Sequence, residues 1–136
     1  MNMLDRGRQV LAAQPFSVML GTELLAFDEG CAELKTPITP QLHQQHGFVH
    51  GGIISYAADN ALTFAGGTAL GSAVVTSEFK INYLRPAIGE FLVARATVVH
   101  AGASQAVCRC DVYMSMDGVE RLCASAQGTI VKLLER

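Results

Sequence analysis

The sequence predicts an α+β fold, with one long helix buried against a mainly antiparallel β-sheet. Three observations carry that prediction. Residues 51–68 are Ala-rich, of helical length and apolar nearly all round, which marks a helix wrapped by other structure rather than one lying on a surface. Four strand-like runs follow, at 74–84, 91–100, 106–116 and 119–132, and three of them alternate apolar with polar residues. A shorter pair, 20–28 and 31–37, precedes the helix and reads as a hairpin about Glu29-Gly30.

In chain order, residues 2–13 carry Leu4, Arg8, Leu11 and Ala12 at helical spacing, and Pro15 is expected to end that short helix. In the second strand of the hairpin, Ala32 and Leu34 lie opposite Glu33 and Lys35, and Pro37 and Pro40 stop it. Residues 41–50 are rich in His and Gln and have no period, so they form a loop. Gly66, Gly67 and Gly71 are expected to close the long helix. In 74–84, Phe79, Ile81 and Tyr83 alternate with Glu78, Lys80 and Asn82, and Arg85-Pro86-Ala87 breaks the run. Asp117-Gly118 is a strong hairpin turn between the last two strands. Met114 and Met116 share one strand face and are assigned to the core.

Half of the 136 residues are hydrophobic and 16% are charged, which excludes compositional disorder and suits one domain with one core. Trp is absent and aromatics make up 7%, so aliphatic side chains and Ala must fill that core. A net charge of −2 offers no basic excess for sequence-independent nucleic-acid binding. The first residues carry Asp5, Arg6 and Arg8 rather than a signal-like apolar run, and no stretch has the length of a membrane span. Cys31, Cys108, Cys110 and Cys123 lack CxxC spacing and read as reduced, buried small hydrophobes. A cytoplasmic protein with neither nucleic-acid nor membrane partners is therefore expected.

The chemistry concentrates at His50-Gly51-Gly52 and Asp59. Two glycines opening a helix allow close backbone approach, and first-turn N–H groups have no intrahelical acceptor. Such a helix start can hold an anion or a developing oxyanion. Asp59 follows Gly52 by two turns, on the same face and roughly 10 Å along the axis. Asp is a poor mid-helix residue, and in an apolar helix it resists burial unless it is partnered or faces a cavity. Desolvation there favours the protonated form, a setting suited to a general base or nucleophile. The structural alternatives are a tight turn for the glycines and a brace for Asp59. The coincidence of both features on one face, after a polar loop, favours function.

The run His50-Gly51-Gly52, Asp59-Asn60, Thr76 and residues 81–87 (Ile-Asn-Tyr-Leu-Arg-Pro-Ala) resembles the hotdog-fold acyl-CoA thioesterases of the PaaI-like, phenylacetate-pathway group. The resemblance covers roughly residues 16–132 and implies a single hotdog thioesterase domain over 1–136, with the N-terminal helix in 1–15. By that resemblance Asp59 is the carboxylate, the Gly51 N–H is the oxyanion donor and Thr76 helps position the water. Gln44 stands where many members have Asn, one methylene shorter. On strict alternation Ser77, not Thr76, faces with Phe79 and Ile81, unless a bulge exchanges them. His50 is expected to shape the helix start by bonding loop backbone, with His43 and His46 near the pocket mouth. Gly52, with Tyr56 and Phe64 as apolar lining, completes the substrate-binding set, and Arg85 is the candidate for the coenzyme A phosphates. No cofactor is implied. The four histidines lack a carboxylate at ligand spacing, so no metal is expected either.

The resemblance further implies a homo-oligomer, a dimer of dimers, with Asp59 of one chain working with Thr76 of its neighbour. Two other readings stand beside hydrolysis of acyl-CoA: an acyl-thioester dehydratase or hydratase on the same fold, and a non-catalytic acyl-CoA-binding module. Asp59 discriminates against the module, because binding an anionic ligand gives no reason to keep a carboxylate near the acyl group.

Overall fold

The computed structural model describes residues 1–134. Three α-helices, α1 (Met3–Ala12), α2 (Pro15–Leu20) and α3 (Gly51–Leu70), accompany six strands: β1 (Glu23–Asp28), β2 (Cys31–Pro37), β3 (Val74–Tyr83), β4 (Phe91–Ala101), β5 (Gln105–Met116) and β6 (Val119–Lys132). All six strands form one sheet in the order β1-β2-β4-β5-β6-β3, and every neighbouring pair is antiparallel. The long helix packs against that sheet, as the sequence predicts. Ala57, Ala58, Ala61 and Ala65 let its backbone come close to the strands, while Ile54, Leu62 and Phe64 fill the spaces between. Leu24, Leu34, Leu92, Val112 and Ile130 meet them from the sheet.

Four local expectations change. Pro15 does not simply follow a helix end. It takes the first position of α2, where its missing N–H costs nothing, and residues 20–22 close that helix instead of starting a strand. Gly21, at φ +75°, is the left-handed cap that allows the turn into β1. Gly66 and Gly67 lie inside α3, and Gly71 alone caps it. Met116 is 44% exposed, so of the two methionines only Met114 packs on the core. The predicted turn at Asp117-Gly118 stands, with φ positive at both residues.

Cys108, Cys110 and Cys123 are buried and free, while Cys31 is only partly covered. Burial pushes the Cys108 and Cys123 thiols up to about 11 and Cys110 up to about 12. Those three thiols are therefore inert small hydrophobes at neutral pH. Among the described residues, no helix is long and apolar enough to cross a membrane.

Candidate active site

Two clusters of side chains hold the sequence-predicted site residues, one at the start of α3 and one in its middle. At the start, His50 is the N-cap: its Nδ1 accepts the Gly52 N–H at 2.9 Å. The Gly52 donor is thereby used internally. Among the described residues the Gly51 N–H has no hydrogen-bond partner, which leaves it as the open donor at the positive end of the helix. Loop 41–50 is held by backbone bonds from His50 N to Leu42 O (2.7 Å) and from Val49 N to Ala87 O (3.0 Å). That clamp brings Gln44, Gly51 and Arg85 to one groove of about 390 Å³. Gln44 Oε1 accepts from the backbone N–H groups of His46 and Phe48, so its Nε2 is the amide atom left to donate outward. Tyr83, which sequence reasoning assigned no role, lies across this helix start. Its hydroxyl donates to the Gly51 carbonyl at 3.1 Å and sits 2.6 Å from Ser55 Oγ.

In the middle of α3, Thr76 Oγ1 donates to Asp59 Oδ1 at 2.6 Å within one chain. This corrects the expectation that Asp59 meets the Thr76 of a neighbour. The pairing requires Thr76 to face the helix, and a register shift between Thr76 and Glu78 in the β3–β6 ladder provides it. Just past that bulge Gly128 pairs with Phe79, where a Cβ would lie 2.5 Å from Phe79 Cβ and 2.6 Å from Glu78 O. Thr63 joins the cluster without having been predicted: its Oγ1 lies 2.8 Å from Thr76 Oγ1 and donates to the Asp59 carbonyl at 2.8 Å. Its spacing of four from Asp59 was the available signal. Asp59 is half-buried in the single chain rather than sealed, and Thr76 is its polar partner.

Beside this cluster, α1 and α3 enclose a cleft of about 330 Å³. Thr63 and Asn60 line it next to Asp59; Val10, Phe27, Phe64 and Val74 make it mainly apolar, with Arg6 and Gln14 on the α1 side. Phe64 stands edge-on to Phe27, with ring centroids 5.5 Å apart. Tyr56, expected beside it, does not line this cleft. Its hydroxyl is held by Ser17 Oγ (2.6 Å) and Thr22 Oγ1 (2.9 Å), and its ring packs edge-on to Phe16. That network ties α2 to α3.

Gly51 and Asp59 are eight residues apart on one helix, about 12 Å along the axis. No single carbonyl group reaches both within one chain, since each contact needs roughly 3 Å. The chain therefore carries two separate clusters: a groove lined by Gln44, Gly51 and Arg85, and the group Asp59, Thr63 and Thr76 beside the cleft.

Comparison with known proteins gives consistent findings. Residues 46–120 match the family model described as the thioesterase superfamily. The acyl-coenzyme A thioesterase PaaI of Escherichia coli strain K12 is 36% identical over 89 residues, 65% of this chain and 63% of that relative, so the match spans somewhat less than two thirds of its length. A Haemophilus influenzae protein named a putative esterase is 33% identical over 68% of this chain and 69% of its own. The crystal structure of a thioesterase family protein from Silicibacter pomeroyi superposes with a TM-score of 0.91 at 36% identity, covering 98% of this chain and 100% of that one.

Proposed function

The chain belongs to the thioesterase superfamily, and from that premise we propose that it is a thioester hydrolase cleaving acyl-CoA to the free acid and coenzyme A. The observation that carries the reading is the Thr76–Asp59 hydrogen bond, joined through Thr63 to the wall of a mainly apolar cleft. It fixes a carboxylate oxygen where an acyl carbonyl would arrive, beside space for its tail. Asp59 acts either as general base or as nucleophile. As a base it takes a proton from water while the water oxygen bonds to the thioester carbon. The carbonyl oxygen becomes an oxyanion that accepts from the Gly51 N–H and Gln44 Nε2. Collapse breaks the C–S bond, and the sulfur leaves with the proton. As a nucleophile, Asp59 attacks the thioester carbon, the C–S bond breaks and coenzyme A leaves as the thiolate. Water then opens the resulting acyl anhydride, giving the free acid, regenerating the Asp59 carboxylate and supplying the proton the thiolate takes up.

Because donor and carboxylate of one chain lie about 12 Å apart, each site takes Gly51 and Gln44 from one subunit and Asp59 and Thr76 from another. A dimer of dimers built by edge pairing of the sheets suits this requirement. Arg85, in the donor groove, is positioned for the phosphates of coenzyme A, which a net acidic chain must meet with a local cation. The free thiols fit a cytoplasmic enzyme.

Release of free thiol from a panel of short-, medium-, long-chain and aryl acyl-CoAs tests the reading. Turnover of at least one class is expected, with a raised KM in Arg85→Ala at low salt. Binding of acyl-CoA without thiol release would support the non-catalytic module instead.

A further inference from the structure

We infer that Gly67 sets the size of acyl group the cleft between α1 and α3 accepts. The inference rests on the acyl-CoA reading above and deepens it.

Two adjacent glycines lie well inside the 20-residue helix α3, where glycine destabilises relative to alanine. Gly66 has a packing reason. A Cβ there would lie 2.6 Å from Ile130 Cβ and 2.7 Å from each of its γ carbons, so the helix could not rest on β6 with any side chain at this position. Gly67 has no such reason. The nearest atom to its Cβ would be Val74 Cγ2 at 3.8 Å, an ordinary contact, and its φ is not positive. Alanine would fit and would suit the helix better.

A side chain at Gly67 would enter the cleft. Asn60, Thr63, Phe64 and Gly67 form one stripe of α3 along its wall. The stripe begins beside the Asp59–Thr76 pair and runs about 10 Å to Gly67. An acyl group whose carbonyl lies at Asp59 therefore sends its tail along α3, past the Phe64–Phe27 edge-to-face pair, toward the space that Gly67 leaves open. An acetyl group would leave that space empty. The cleft volume of about 330 Å³ falls within the range of small-molecule sites.

The test compares wild type with Gly67→Ala and Gly67→Leu on butyryl-, octanoyl- and benzoyl-CoA, and reads kcat/KM with thermal unfolding. The octanoyl-to-butyryl ratio should fall about tenfold or more in Gly67→Leu and less in Gly67→Ala. Gly67→Ala should melt about 2–5 °C higher, which excludes misfolding as the cause of its loss. Calorimetric binding of octanoate and benzoate reads the cleft without hydrolysis and should weaken in step. An active wild type whose ratio is unaltered in both variants, with acid binding undiminished, overturns the inference and spares the hydrolase. A wild type that binds octanoate, loses it in Gly67→Leu, yet cleaves no acyl-CoA overturns the hydrolase and supports the role of Gly67.

Discussion

A carboxylate in the middle of an apolar helix needs a partner, and Asp59 has one in the Thr76 hydroxyl 2.6 Å away. The pair predicts a separation of activity from stability. Asp59→Asn is nearly isosteric and still accepts from Thr76 through Oδ1, but it cannot take a proton or attack a carbonyl. Turnover should fall at least about a hundredfold with thermal unfolding unmoved; turnover at the wild-type rate would return Asp59 to a bracing role. Asp59 was legible in the sequence because it is out of place there. Its partner was legible only through the family resemblance, since strict alternation turns Ser77, not Thr76, toward the helix. The bulge that reverses this falls at Ser77, opposite Ile130 and Thr129, and neither of those residues marks it in the sequence. Thr63 and Tyr83 left no trace comparable to an ionisable residue in an apolar setting.

At the scale of elements, the first turn of α3 separates its N–H groups by use: Gly52 bonds to the His50 cap, and Gly51 remains open. Proline tests that division, because the first helical position tolerates it and His50, at φ −59° and ψ 133°, already has the extended backbone proline requires before it. Gly51→Pro deletes one donor. Gly51→Ala keeps the donor and makes the same close approach to the Tyr83 ring, 3.3 Å from the added Cβ. The proline variant should turn over about 10²–10³-fold more slowly than the alanine variant, at similar melting temperature. Equal rates would remove Gly51 from the mechanism. The helix itself was plain in the sequence, as were β2, β6 and the turn at Asp117-Gly118. The start of the chain was harder. Pro15 reads equally as a stop for one helix and as the first residue of the next, and only the packing of Ser17 and Leu20 against the rest of the molecule decides for α2.

At the scale of the whole molecule, a helix buried in an antiparallel sheet followed from an all-round apolar segment amid alternating runs. The strand order did not follow, because each strand chooses neighbours by contacts distant in sequence. That order leaves β3 at a sheet edge, with the Thr76 bulge upon it, and the helix geometry holds Gly51 and Asp59 of one chain about 12 Å apart. A site completed across subunits makes a prediction that a one-chain site forbids. Asp59→Asn and Gly51→Pro should each be nearly inactive alone. Unfolded and refolded together, they should form mixed dimers in which one site joins an intact Gly51 to an intact Asp59, while the other site carries both lesions. Random pairing makes half of the dimers mixed and half of their sites whole, so activity should recover to about a quarter of wild type. A mixture that stays as inactive as its parents, although native mass spectrometry shows mixed dimers, would mean that donor and carboxylate act within one chain, with α3 rearranged to bring them together.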